Sequence, residues 1–193
     1  MNKTHNLVYD RDISGNKSVS ALIGVIFFVI ATTLGAYVRI PVEGSPVPIT
    51  MQTFFVMLAG AVLGCRLGSF SQFAYLAIGA AGLPIFQGYS FGTAYLLGPT
   101  GGYLAGFVFA AYFTGKTLGS PGQGLKKIIA YFVIGDLIIH TCGTAWLIYL
   151  YKMDIVKAVS AGILPFIPGE TAKILFASVI YSKISGRSKV IFP

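Results

Sequence analysis

Hydrophobic and polar positions fall in long blocks along the chain instead of following the period of an amphipathic helix or strand. Six apolar blocks cover residues 18–38, 49–64, 67–82, 99–118, 125–151 and 165–184. Each block is apolar on every side of a helix, and about 20 apolar residues are enough to cross the hydrocarbon core of a bilayer. The pattern therefore predicts an all-α bundle of six transmembrane helices.

The composition excludes a soluble domain. Apolar residues make up 55% of the chain and charged residues only 10%, and the mean hydropathy is +0.77. Soluble domains carry about 25% charged residues. Residues 67–115 contain no Asp, Glu, Lys or Arg at all, so this stretch predicts two spans joined by an uncharged connection.

The distribution of Lys and Arg predicts the orientation. The first block is longer than the roughly 7–15 apolar residues of a signal peptide, so we expect it to be retained. With six spans, ten basic residues fall on the side of the termini and three on the other. The positive-inside rule then predicts a cell-membrane protein with both termini in the cytoplasm. The domains are a tail at 1–17, a membrane domain at 18–187 and a cytoplasmic end at 188–193. Because the charges lie between spans, we expect no nucleic-acid partner.

Asp136 and His140 lie one helical turn apart inside the fifth block. Ionisable groups at membrane depth are costly and are either functional or paired with one another. A proton relay or a metal site would need a third polar partner nearby, and we expect none nearby on this span. We therefore favour a structural pair and expect no metal and no catalytic residue.

The segment 166–173 (FIPGETAK) opens the sixth block, on the predicted outer side. Proline starts a helix without losing a donor, and Glu170 and Lys173 then share one face of its first turn. Two interpretations remain open: an internal ion pair, or a two-ended polar site whose acid and base bind opposite ends of a ligand. The uncharged, aromatic connection 83–92 lies on the same side and is suited either to cover an apolar ligand or to lie in the membrane interface.

Small residues recur at four-residue spacing, which lets helices approach closely in lipid. Packing within the bundle is the simpler explanation. Ala31 and Gly35 in the first span are the best candidates for docking a partner protein. Residues 110–117 (AAYFTGKT) fit a loose Walker A pattern, but they lack the glycine-rich loop that holds phosphates. We therefore expect no ATP hydrolysis by this chain.

Four motifs in series resemble the BioY family, the biotin-specific S components of energy-coupling factor (ECF) transporters. They are 48–53 (PITMQT), 83–86 (LPIF), 97–104 (LGPTGGYL) and 166–173 (FIPGETAK). The resemblance covers nearly all of residues 20–185. It implies a six-helix membrane subunit that captures biotin at the outer face. ATP would be used only by partner subunits, which are a transmembrane coupling protein and two ATPases.

The resemblance also implies the site residues. Glu170 would contact the ureido ring of biotin and Lys173 its carboxylate. Further contacts would come from Gln52, Gly88, Tyr89 and Tyr95. The family pattern usually has Asp at the position of Glu170, so the reach of this carboxylate is one methylene longer.

Two other functions remain as alternatives. One is a secondary transporter for a small vitamin-like carboxylate, which would be expected to carry inverted repeats that the sequence does not show. The other is an intramembrane enzyme built on Asp136 and His140, which would need a third catalytic group and a path for water.

Overall fold

The computed structural model describes residues 17–119 and 122–192. Most of the predicted N-terminal tail, residues 1–16, lies outside the described residues. The helices are α1 (Lys17–Tyr37), α2 (Gln52–Ala80), α3 (Thr93–Leu96), α4 (Gly101–Thr117), α5 (Leu125–Tyr151), α6 (Ile155–Gly162) and α7 (Ile167–Ile191). Between α1 and α2, the two-residue strands β1 (Arg39–Ile40) and β2 (Ile49–Thr50) pair antiparallel, with Arg39 opposite Thr50.

Helix α2 is a hairpin of two helical arms, residues 52–63 and 65–80, which reverse direction at Gly64. Gly64 has φ 81° and ψ 173°, a conformation that is open only to glycine. A Cβ added at Gly68 would lie 2.6 Å from the Cα of Gly60, whereas a continuous helix separates residues eight apart by about 12 Å. The amide of Gln52 likewise reaches the hydroxyl of Tyr75 at 2.9 Å. The second and third predicted spans are therefore two antiparallel arms.

The described chain is a membrane protein of six apolar helical segments, as predicted. By length and composition, four of its helical stretches are suited to cross a membrane: Lys17–Tyr37, Gln52–Ala80, Leu125–Tyr151 and Ile155–Ser188. The outward face of α1 is formed by large apolar side chains that water would not tolerate as a continuous surface: Leu22, Ile23, Ile26, Phe27, Ile30 and Leu34. The outer surface of the bundle is thus apolar at positions where the surface of a soluble protein carries charged side chains.

The small residues of α1 serve packing inside the bundle. Ala31 and Gly35 are buried, and a Cβ on Gly35 would meet the ring of Phe55 at 2.9 Å and the backbone of Gln52 at 3.0 Å. The prediction that Ala31 and Gly35 dock a partner protein is therefore wrong, because the pair faces α2.

One helix end and one connection differ from the sequence expectation. Helix α7 continues to Ile191, beyond the predicted end at 184, because the polar residues that follow contain no proline to stop it. The connection before α7 contains the short helix α6, where the backbone N–H of Lys157 donates to the side chain of Asp154 at 2.9 Å. This hydrogen bond favours the ionised carboxyl, and the pKa of Asp154 lies below its ordinary value.

Candidate functional site

A cavity lies at the end of the bundle where β1 and β2, the 83–92 connection and the start of α7 meet. About 480 Å³ of space free of protein atoms lies in and in front of it, part of it open to solvent. Aromatic rings form much of its wall: Tyr75, Phe86, Tyr95, Tyr103, Phe107 and Phe166. Its polar lining includes Thr50, Gln52, Thr53, Thr100, His140 and Glu170. An apolar cavity with a few convergent polar groups is the usual form of a small-molecule site.

Glu170 is the buried acid of this cavity. It stands in the first turn of α7, where Pro168 occupies one of the first helical positions. Only 4% of Glu170 is exposed. Its Oε1 accepts from the ammonium of Lys173 at 2.5 Å, and its Oε2 accepts from the hydroxyl of Thr53 at 2.8 Å.

Lys173 is held by three acceptors. Its Nζ donates to the carbonyl of Thr50 at 2.7 Å, to the hydroxyl of Thr53 at 2.8 Å and to Glu170. An ammonium group has three donors, so this side chain is saturated. A buried charge is tolerated only when it is paired and hydrogen-bonded in this way.

The acid and the base therefore lie at one point of the site. Glu170 lines the cavity, whereas Lys173 stands behind it and is not part of the lining. In this conformation the two residues cannot bind opposite ends of one ligand, because each is bonded to the other. The internal ion pair and the ligand site, posed as alternatives from the sequence, coexist here, since the paired carboxylate still forms part of the cavity wall.

Two of the other expected contacts also line the cavity. Gln52 is 5% exposed, and its amide nitrogen donates to Tyr75 while its oxygen accepts from Thr50 at 3.1 Å. Tyr95 stacks on Phe86, with ring centroids 4.9 Å apart and an angle of 16° between the ring planes. Gln52 is thus fixed in orientation, and Tyr95 contributes a flat apolar wall.

Gly88 and Tyr89 lie at the mouth, outside the lining residues described for the cavity. Tyr89 is 66% exposed, and its ring packs against Tyr37 with centroids 4.6 Å apart. A Cβ on Gly88 would lie 2.8 Å from Nη1 of Arg39. The hydroxyl of Tyr37 also donates to the carbonyl of Pro84 at 2.8 Å, so these contacts fasten the 83–92 connection to the end of α1.

The third polar partner of Asp136 and His140 is Glu170, which comes from another helix. The ring Nδ1 of His140 lies 3.3 Å from Oδ2 of Asp136 and 3.1 Å from its backbone carbonyl. One ligand atom from each of Asp136, His140 and Glu170 lies within 4.8 Å of the others, a spacing suited to a metal ion. Both oxygens of Glu170, however, already accept hydrogen bonds, and the adjacent ammonium of Lys173 would repel a cation.

The sequence reasoning missed several residues of the site. Thr50 and Thr53 stand within the 48–53 motif, beside Gln52, and bond to Lys173. The signal available in the sequence was their spacing, since the two threonines lie three residues apart in the same motif. Tyr103 and Phe166 also stand within quoted motifs, 97–104 and 166–173. Their placement around His140 could not be read from those motifs, because it depends on how α4, α5 and the start of α7 pack together.

Known proteins resemble this chain over most of its length. It is 38% identical over 164 residues to a probable biotin transporter BioY of Pyrococcus horikoshii, covering 85% of this chain and 95% of the relative. It is 37% identical over 159 residues to the biotin transporter BioY of Thermotoga maritima, covering 82% and 92% of the two chains.

A solved structure has the same fold. The S-component for biotin from an ECF-type ABC transporter superposes with a TM-score of 0.81 at 28% identity, over 89% of this chain and 93% of that one. The sequence model of the BioY family matches residues 5–189. The six-segment bundle, the motifs gathered around its cavity and these likenesses agree, and the chain belongs to the BioY family.

Proposed function

We propose that this chain is the biotin-binding S component of an ECF-type ABC uptake transporter. The observation that carries the proposal is the buried carboxylate of Glu170 in the wall of a largely aromatic cavity, in a chain of the BioY family. The transporters that it resembles carry biotin in their names. Membership of a transporter family also argues against the enzyme built on Asp136 and His140.

The chemistry of the cavity suits the head of biotin. The bicyclic ring system is apolar and packs well against flat side chains such as Phe86 and Tyr95. The ureido group offers two N–H donors, and a charged acceptor such as Glu170 forms the stronger kind of hydrogen bond with them. Release of Oε2 from Thr53 would free an acceptor for the ligand without breaking the ion pair.

Lys173 has a different role in this proposal from the one that the resemblance implies. To reach the carboxylate of biotin it would have to leave Thr50, Thr53 and Glu170 together, with the loss of three hydrogen bonds. We propose instead that Lys173 keeps Glu170 ionised and in place at the ureido end. The saturated ammonium supports this assignment.

The cavity would open to the outside of the cell. Arg39 and Lys152, from the side with few basic residues, stand at the cavity end of α1 and α5. Arg66 and Lys116 stand at the other end, where a Cβ on Gly115 would touch Cys65. The positive-inside rule then assigns the other end and both termini to the cytoplasm. There a transmembrane coupling protein and two ATPases would supply the ATP-driven step, since this chain lacks an ATPase motif.

Equilibrium binding of labelled biotin to the purified protein tests the function. We expect nanomolar-scale affinity, about −12 kcal/mol, and no competition from other vitamins. Lys173→Ala should lose most of this affinity, whereas Lys157→Ala should keep it because that lysine is exposed. Wild-type protein that fails to bind biotin would refute the proposal.

Biotin methyl ester separates the two roles of Lys173, because it keeps the ureido group and lacks the charged carboxylate. If Lys173 acts through Glu170, Lys173→Ala weakens the ester and biotin by the same factor. If Lys173 bound the carboxylate, the variant would weaken the binding of biotin only.

A separate measurement distinguishes the type of transporter. Uptake that persists in cells without the coupling protein would favour the secondary transporter.

A further inference from the structure

Arg39 is a basic residue at the cavity end whose charge the contacts described so far do not use. It lies in β1 directly opposite Thr50 of β2. Side chains of directly opposite residues project from the same face of a β-ladder. Because Thr50 lines the cavity, the side chain of Arg39 lies on the cavity side of its strand.

The guanidinium of Arg39 lies at the mouth of the cavity. A Cβ added at Gly88 would lie 2.8 Å from its Nη1, so the charge stands against the 83–92 connection. Arg39 is exposed, and it takes part in none of the three ion pairs found among residues 17–119 and 122–192. A guanidinium is always charged and offers five donors and no acceptor, so this one is available to an anion.

Two polar side chains of the cavity wall have atoms without partners. Thr100 and Gln87 both line the cavity, and Oγ1 of Thr100 and Oε1 of Gln87 are buried without a hydrogen bond. Thr100 is 8% exposed. It precedes the first turn of α4, but its side chain makes no capping hydrogen bond, although threonine is a favoured cap. Buried polar atoms without a partner are rare, and a bound ligand would supply the missing one.

The hydroxyl of Tyr95 joins these groups to Arg39. Burial raises the pKa of Tyr95 above its ordinary value, and the neighbouring Thr100, Gln87 and Arg39 act against that increase. The four side chains therefore lie near one another at the mouth. Each of them can donate: a hydroxyl rotates to its acceptor, and the amide of Gln87 offers two N–H groups after a half-turn. A set of donors with one cation and no acid is suited to an anion.

We propose that Arg39 and Thr100 bind the carboxylate of the ligand, with Gln87 and Tyr95 beside them. This assignment rests on the proposed function, because it names the second end of the same site. Lys173 is held at the first end by its three acceptors, so the ligand carboxylate needs another cation. A guanidinium binds a carboxylate through two parallel hydrogen bonds, and the positive end of the α4 dipole at Thr100 adds to the attraction.

Biotin amide tests the proposal on the wild-type protein, because it keeps the ring system and the chain and replaces the carboxylate by a neutral group of the same size. We expect the amide to bind about tenfold to a hundredfold more weakly than biotin, since a hydrogen bond to a charged group is the stronger kind. Equal affinity for the two would overturn the proposal and leave the proposed function standing. Failure of the wild type to bind biotin would refute the proposed function instead.

Variants of Arg39 assign the difference to this residue. Arg39→Gln should weaken biotin by about tenfold to a hundredfold and the amide by less than about threefold. Arg39→Lys keeps the charge without the two-pronged geometry and should restore part of the loss. Lys152→Gln is the control at the same end, because its ammonium lies over the ring of Tyr149, 4.8 Å from the centroid. An equal loss for biotin and the amide in Arg39→Gln would mean that Arg39 only holds the 83–92 connection, and would overturn the proposal.

Thr100 is tested by two changes of similar size. Thr100→Val removes the hydroxyl and keeps the shape, whereas Thr100→Ser keeps the hydroxyl. We expect the Val variant to lose more affinity for biotin than for the amide, and the Ser variant to bind both nearly as the wild type does. Unchanged biotin affinity in Thr100→Val would overturn the part assigned to this hydroxyl.

Discussion

At the scale of single residues, the site depends on two charges that have been removed from water together. Glu170 and Lys173 are 4% and 6% exposed, and Thr50 and Thr53 supply the remaining hydrogen bonds. Removing one partner of such a pair leaves an uncompensated buried charge, whereas replacing both with apolar or neutral groups costs little. The pair can therefore be tested for folding and for binding separately.

Glu170→Gln should destabilise the protein by about 3–5 kcal/mol, because Lys173 keeps its charge and loses its counter-ion. Adding Lys173→Met to that variant should restore most of the stability but none of the biotin binding. Thermal unfolding in detergent and equilibrium binding measure the two effects. Glu43→Gln, at an exposed position, is the control and should change neither. A double variant that binds biotin like the wild type would contradict a role for the acid in the site.

The same position offers a conservative change. Glu170→Asp keeps the charge and shortens the side chain by one methylene, so the ion pair survives with a shorter reach into the cavity. We expect biotin affinity to change by less than about tenfold, well below the loss caused by Glu170→Gln. A loss as large as that of the Gln variant would show that reach, and not charge, limits this site.

At the scale of elements, the reversal of α2 at Gly64 places the site. It returns the 65–80 arm beside the 52–63 arm, so that Tyr75 meets Gln52 in the cavity wall. A straight α2 would carry Tyr75 about 35 Å away from Gln52. The glycine is needed for its backbone conformation alone, since a Cβ at this position would meet nothing within 4 Å.

Gly64→Ala should therefore cost about 1–3 kcal/mol of stability through backbone strain. The matched control is Gly186→Ala, a helical glycine that also has open space around it. That control should be neutral or slightly stabilising, because alanine favours a helix over glycine. Thermal unfolding of both variants makes the comparison. Equal melting temperatures for the two variants would mean that α2 does not need the glycine conformation at its turn.

At the scale of the whole molecule, the two ends of the bundle differ in charge and in content. One end holds the cavity and few basic residues, and the other holds the hairpin turn beside Arg66 and the last turns of α7. The hydroxyl of Tyr181 on α7 donates to the carbonyl of Leu118 at that second end. The orientation of the protein in the membrane therefore depends on the charge difference between the two ends of the bundle, to which several helices contribute.

Labelling of introduced cysteines measures this orientation. In a background with Cys65→Ser and Cys142→Ser, Glu43→Cys marks the cavity end and Gly186→Cys the other. We expect a membrane-impermeant maleimide added to intact cells to label only Glu43→Cys, with Gly186→Cys labelled after permeabilisation. The reverse pattern would place the cavity on the cytoplasmic side and would contradict capture from outside.

The sequence by itself determined the membrane character, the six apolar blocks and the motif around Glu170. These features depend on local sequence alone. The hydropathy of a span is the sum over one segment, and Glu170 and Lys173 lie on the same helical turn whatever packs around them. Hydropathy does not determine where a helix ends, as the extension of α7 to Ile191 shows. Polar residues that stop a span do not stop a helix.

Only the tertiary structure decided which side chains share the cavity and what each is bonded to. The contact between Thr53 and Glu170 joins residues 117 positions apart, and Glu170 approaches His140 from a different helix. No local pattern encodes such contacts, because they depend on how the helices pack and on where α2 reverses. The three hydrogen bonds of Lys173 are an example of such contacts. The sequence places an acid and a base on one helical turn, but only the packing of the helices buries both against the same threonine, Thr53.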